Sequence, residues 1–326
     1  MVKNVNTLFS ITIFLSLIAI SLILSFGRGF SLLTLEGINL WLALILPAML
    51  PYFFITAVLS SLSITSKLAD KFSPLTTRLF NTSGACGYAF FMSLIAGYPI
   101  GAKIVCDLRE SGVISDSEGV RASTFCSTSS PMFLINSVGA IMFNSTTFGL
   151  ILLVSNFLSA IIIGIIFSNY KKADKPINKP FISSQKIDNI LYESAYSSVI
   201  SVLVVGAIIT IFYIFSSLLF HLNILTPIIK LFSLVLGDFE MSKALTFGLI
   251  ESTNGLKILS TLSIGTLTLP LCAFICGFGG LSVIMQSIAY LKKAKIKTAP
   301  FIKAKLLCAV LNFLITLIIC LIFQPI

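Results

Sequence analysis

The sequence predicts an all-α polytopic membrane protein with an inverted-topology repeat, two re-entrant hairpins and two broken transmembrane helices. Three observations predict it. Of 326 residues, 56% are hydrophobic and only 10% charged, whereas a soluble domain carries about 25% charged residues. Lysines concentrate in two segments, Lys171 through Lys186 and Lys292 through Lys305, and Lys-rich short loops mark the cytoplasmic side of a membrane. Two short apolar segments interrupted by Gly, Pro and polar residues occupy corresponding places in the two halves, and both end Gly-x-Lys-Ile. One holds Gly97-Tyr98-Pro99-Ile100-Gly101-Ala102-Lys103-Ile104 and the other Glu251-Ser252-Thr253-Asn254-Gly255-Leu256-Lys257-Ile258. Paired interrupted segments of this kind point to the binding site of a secondary transporter.

Uncharged windows long enough to span a bilayer, which takes roughly 20 residues, run Asn4–Gly27, Gly37–Ser66, Ala122–Tyr170, Ser194–Ile229, Ile258–Leu291 and Leu306–Ile326. The stretch Leu8–Phe26 has Lys3 as its only early charge and no small-x-small cleavage site after Gly27, so it reads as a retained first helix. Ala122–Tyr170 is long enough for two spans, with a turn at Phe143-Asn144-Ser145-Thr146-Thr147.

With both lysine segments in the cytoplasm, Phe148–Ser168 enters from outside and Ala122–Phe143 leaves from inside. The charged loops Asp107–Arg121 and Lys67–Arg78 then lie inside. The apolar stretch Ala85–Ala102 therefore starts and ends on one side, as a re-entrant hairpin turning around Gly97 to Gly101. Pro99 lacks a backbone donor and disfavours helix at Tyr98. The second half repeats the order upside down. Ala195–Leu219 leaves the cytoplasm, Asn223–Leu236 lies near the outer interface, and Ala244–Leu259 re-enters with its turn at Ser252 to Gly255. Leu267–Leu291 returns and Leu306–Phe323 leaves. The expected division is a first helix over 1–30, a first gate-like repeat over 37–169, a Lys/Pro linker over 170–190 and an inverted repeat over 191–326.

Each half also carries a broken span. Ser127-Thr128-Ser129-Ser130-Pro131 interrupts the first, and Gly277-Phe278-Gly279-Gly280-Leu281-Ser282 the second. Proline is tolerated at the first position of a helix, so each break presents a half-helix N-terminus carrying about +0.5 charge. Irregular backbone at membrane depth must be satisfied by protein or by a wet cavity. The four loosened segments are therefore expected to converge near the midplane.

The candidate substrate-binding residues follow: Gly97, Tyr98, Pro99, Gly101 and Lys103; Ser127, Thr128, Ser129 and Ser130; Glu251, Ser252, Thr253, Asn254 and Lys257; and Gly279 and Ser282. Of twelve acidic residues, Glu251 alone falls in a hairpin. An intramembrane carboxylate is expensive and functional by default, unless Glu251 is an ordinary charge at the outer interface. Lys103 and Lys257 attract an anion, pair with Glu251, or snorkel to headgroups. The hydroxyl run contacts a solute or packs helices. Gly101 and Gly255 read as turn glycines. Asn136 and Gln286 line the cavity or bond a neighbouring helix, and His221, the single histidine, reads as interfacial.

The net charge of +10 is a loop property of this membrane protein and predicts no nucleic-acid binding. Its expected surface partner is the lipid bilayer, including anionic headgroups. The seven cysteines fall mostly in apolar segments and read as small hydrophobes; no His or further Cys lies near Cys272 and Cys276, so no metal site is expected. The sequence has no HExxH and no Walker loop, and Gly277 to Gly280 follows no strand. No enzyme chemistry and no cofactor are expected.

The block Gly97-Tyr98-Pro99-Ile100-Gly101-Ala102-Lys103, then Gly112-Val113-Ile114-Ser115, Phe125 through Pro131, Phe133, and Gly277-Phe278-Gly279-Gly280-Leu281-Ser282-Val283 resemble the sporulation integral membrane proteins of the YlbJ type. The resemblance covers nearly all of the chain after the first helix. Those proteins carry a nucleoside-recognition, or gate, domain, similar in outline to concentrative nucleoside transporters and the membrane part of ferrous-iron transporters. The chain departs from that pattern at Ser130, where the family often has Gly, and at Gly279, where it often has Ser. The resemblance implies a bacterial endospore former. It further implies movement of dipicolinate, a small anionic solute, across the outer forespore membrane. Glu251 is the residue expected to carry a coupling H+ or to help hold a cation such as Na+. A nucleoside or metal-ion carrier and a non-transporting scaffold for the spore cortex are the alternatives.

Overall fold

The computed structural model describes residues 27–61, 64–170 and 189–323. The expected first helix and most of the Lys/Pro linker lie outside those residues. Every regular element among them is helical. Helix α1, Arg28–Leu40, runs on through a π-helical segment, Trp41–Ile45, into α2, Leu46–Ser61. Next come α3, Ile64–Phe80, α4, Gly84–Ala96, α5, Ile100–Glu110, and α6, Asp116–Phe125. A π-helical segment, Phe133–Met142, precedes α7, Thr146–Ile166. The second half holds α8, Ile190–His221, α9, Thr226–Leu236, α10, Phe239–Ile250, and α11, Ser252–Ser260. It closes with α12, Thr268–Phe278, α13, Gly280–Lys293, and α14, Ala299–Phe323.

Five helical stretches among the described residues are long and apolar enough to cross a membrane: Arg28–Leu59, Thr146–Ile166, Ile190–His221, Thr268–Lys293 and Ala299–Phe323. Their outward faces carry large apolar side chains, such as Leu150, Val154 and Leu158 on α7 and Val310, Leu314 and Ile318 on α14. Their inward faces are small and polar. Thr316 of α14 donates to Ser155 of α7 at 2.8 Å, the kind of hydroxyl contact that joins helices where lipid removes the hydrophobic drive. The chain is a multi-pass helical membrane protein.

Two segments expected as charged loops are helices instead. Lys67–Arg78 belongs to α3, which meets α4 at a 95° bend. Asp107–Arg121 forms the end of α5, a short turn and most of α6. The start of α6 explains why. Ser115 and Glu118 make a reciprocal capping box, and Glu118 also accepts from the Ser83 N–H at 2.8 Å. Glu118 and Arg121 are thereby buried, although they look like loop charges in the sequence. The turn at Phe143 to Ser145 forms as expected, with Asn144 at positive φ and Ser145 capping α7.

The interrupted segments become helix–break–helix units. In the first hairpin α4 ends at Gly97, a cis Tyr98–Pro99 bond follows, and α5 starts at Ile100. In the second hairpin the break falls at Glu251, which ends α10 and caps α11 in extended conformation. The expected turn at Ser252 to Gly255 is instead the first turn of α11. The carboxylate supplies the N-cap that an isolated helix start requires, so the helix begins one residue after it.

Candidate functional site

The four breaks touch one another in a closed circuit. The Tyr98 N–H donates to the Thr128 carbonyl at 2.8 Å, joining the first hairpin to the first broken span. Thr128 also binds α4, its hydroxyl donating to the Ser93 carbonyl at 2.8 Å. The Ser129 hydroxyl lies 3.1 Å from the Tyr98 phenol oxygen and 3.2 Å from the Cys276 carbonyl. The second contact reaches the last turn of α12, before the second break. That break is Gly279, at φ 82°, and Gly280, at φ 75°. A Cβ on Gly280 would lie 3.0 Å from the Ser252 nitrogen in the second hairpin. Ser252 lies against the Tyr98 phenol, which closes the circuit. Asn156 of α7 holds the Ser129 carbonyl at 3.2 Å from outside the ring.

A small cavity with about 20 Å³ of free space, room for about one water, lies beside the circuit. One wall is polar: Tyr98, Glu251, Ser252, Thr253 and Gln286. The other is apolar: Ile45, Phe133, Val205, Ile209 and Val283.

Glu251 is 1% exposed. Its Oε2 accepts from the Asn254 N–H at 2.7 Å, and the Thr253 N–H and the Ser252 and Thr253 hydroxyls also face the carboxylate. The group is thus held by α11's own N-terminus, where the helix dipole favours negative charge. Among the described residues Glu251 makes no ion pair.

The candidate residues divide into those at the cavity and those away from it. Tyr98, Pro99, Glu251, Ser252 and Thr253 line it, as does Gln286. Thr128 and Ser129 brace that wall from behind, and the Ser130 hydroxyl accepts from the Phe133 N–H at 3.3 Å, capping the next half-helix. Asn254 turns to Ser216 of α8, at 3.3 Å. Ser282 is buried near the second break. Gly97 lies at φ 80° with Ser130 pressed against it. Lys103 is half-buried on α5, with Asp107 one turn on, and Lys257 is exposed on the last turn of α11. Neither lysine reaches Glu251 or the cavity wall. Asn136 does not line the cavity either.

Gly101 and Gly255 are helical, not turn residues. A side chain on Gly101 would collide with the Cys126 carbonyl and meet Ser93 Cβ at 2.7 Å, and one on Gly255 would meet the Ala244 carbonyl at 2.5 Å. Gly101 lets α5 close on α4 and on the backbone that follows α6, and Gly255 lets α11 close on α10; a Cβ would prevent both.

Lys305 was missed by the expectation that it belongs to the cytoplasmic lysine segment. It lies in α14, is 2% exposed, and donates to the Ser127 carbonyl at 3.2 Å. The signal was its register: Phe301, Lys305, Cys308, Asn312 and Thr316 follow one another at three- and four-residue steps, which is one helix face, and all are buried.

These features define a class: a helical, multi-pass membrane protein with a transporter-like fold. No protein-family model matches the chain. The chain is similar in fold to CNTnw in an outward-facing state, with a TM-score of 0.50 and 14% identity over 95% of this chain and 83% of that one. It is 27% identical over 331 residues to the sporulation integral membrane protein YlbJ of Bacillus subtilis strain 168, spanning 94% of this chain and 80% of the relative. The chain is therefore similar, along most of its length, to a sporulation integral membrane protein of the YlbJ type.

Proposed function

We propose that the protein is a secondary transporter that moves a small organic anion, dipicolinate, across the outer forespore membrane during sporulation. The observation that carries this reading is the closed contact circuit of four helix breaks around one small cavity. Paired helix breaks meeting beside a cavity are the plan of an alternating-access carrier. In this reading residues 37–169 and 191–326 are inverted-topology repeats, the two hairpins are re-entrant, and the cavity is the midplane site.

Dipicolinate is a flat aromatic ring carrying two carboxylates. In this reading the cavity widens as the halves move, the ring packs against Phe133 and the aliphatic wall, and the carboxylates face the hydroxyls of Ser252, Thr253 and Tyr98 and the half-helix N-terminus at Gly280. A dianion beside ionised Glu251 would be repelled. Glu251 therefore takes up H+, or shares Na+, when the solute binds, and this couples the two movements. Binding is tested by titrating purified protein with dipicolinate in a calorimeter, against uridine. Saturable heat with dipicolinate and none with uridine supports the reading, and the reverse sinks it.

A nucleoside carrier is the second reading. Two observations favour it: the fold likeness to CNTnw, and a cavity wall whose lysine candidates lie elsewhere.

A further inference from the structure

Lys305 reaches from α14 into the junction of the two broken spans. Its ammonium meets three of the four loosened segments. It donates to the Ser127 carbonyl at 3.2 Å. It lies 5.3 Å from the centre of the Tyr98 ring. A Cβ on Gly279 would stand 3.6 Å from its Nζ. No carboxylate among the described residues forms an ion pair with it.

Ser127 lies just past the end of α6. The last carbonyls of a helix have no intrahelical donors, and the helix dipole concentrates about −0.5 charge there. In carriers with broken helices, such freed carbonyls and half-helix C-terminal ends hold the coupling cation. A lysine ammonium offers the same single positive charge on three donors. The face of an aromatic ring attracts it as it would any monovalent cation. The side chain differs from a bound ion only in being tethered.

We propose that the Lys305 ammonium is a resident substitute for a monovalent metal cation at the first broken span, so that the protein needs no Na+ at that place. Only the consequence for coupling rests on the transporter reading. Coupling by a cation would then fall to Glu251 in the second hairpin, which lies in the other half of the chain.

The test is thermal unfolding of the purified, detergent-solubilised protein in NaCl and in choline chloride at equal ionic strength. The wild-type midpoint is expected to be the same in both. Lys305→Ala is expected to have a lower midpoint, raised in a saturable way by Na+ or methylammonium but not by choline. Saturable stabilisation of the wild type by Na+ would overturn the proposal, as would a Lys305→Ala midpoint that no small cation moves. Where Lys305→Ala does not fold, Lys305→Arg and Lys305→Met decide. The charged variant is expected to be the more stable, and equal stability overturns the proposal. Unfolding is read without any solute, so failure of the dipicolinate reading leaves this result standing.

Discussion

The Ser129 hydroxyl lies 3.2 Å from the carbonyl oxygen of Cys276, 147 positions away in the chain. One break thereby holds the other, and because Ser129 also touches the Tyr98 phenol, the first hairpin is held with them. The contact is a latch between the two halves of the chain.

Ser129→Ala removes the latch and leaves the buried Cys276 carbonyl without its donor. The cost of such an unsatisfied group is about 1–3 kcal/mol. Denaturant or thermal unfolding of the purified variant should show that loss, and solute flux should fall. Unchanged stability would mean that the contact holds nothing.

Gly101→Leu and Gly255→Leu should each abolish transport while leaving membrane insertion largely intact. The Cys126 carbonyl stands in the way at one site and Gly248 with the Ala244 carbonyl at the other. Overpacking costs about 1–3 kcal/mol even for modest additions, so Gly255→Ala should already lower the unfolding midpoint. Normal flux in both Leu variants would show that these close approaches do not shape the site.

Glu251→Gln keeps the shape and the acceptor that receives the Asn254 N–H. It should bind solute but lose proton-driven accumulation across a range of external pH. Lys257→Met should change neither, since Lys257 is exposed and unpaired with the carboxylate. Wild-type accumulation by Glu251→Gln would remove Glu251 from coupling.

Sidedness is checked by cysteine labelling. All seven native cysteines are buried, so an introduced Lys295→Cys at an exposed position of the α13–α14 connection should dominate any signal. A membrane-impermeant reagent outside intact cells should miss it, as the lysine bias of that loop requires. Labelling from outside would overturn the inverted-repeat topology.

The breaks were legible in the sequence because Pro99, Pro131 and Gly279 carry their conformational meaning locally. Glu251 was legible because a carboxylate stands out in an apolar stretch. Its role as the N-cap of α11 was not, since the expected turn was drawn through the residues that follow it. Glu118, Arg121 and Lys305 were read as loop charges by neighbourhood. Each is buried by partners far away in the chain: Ser83 for Glu118, Tyr170 for Arg121 and Ser127 for Lys305. Periodicity along α14 carried the information about Lys305, but a count of charges per loop discards it. The ring that Tyr98, Ser129, Cys276 and Ser252 form depends on packing between halves, which no local pattern records.

The central claim is that the cavity beside this ring carries dipicolinate across a membrane. Flux into vesicles holding the purified protein tests it most directly, with dipicolinate, nucleosides and Fe(II) compared side by side. The account predicts saturable entry of dipicolinate, reduced in Ser129→Ala and altered in its pH dependence by Glu251→Gln. Entry of a nucleoside or Fe(II) without dipicolinate, or of none of the three, would contradict it.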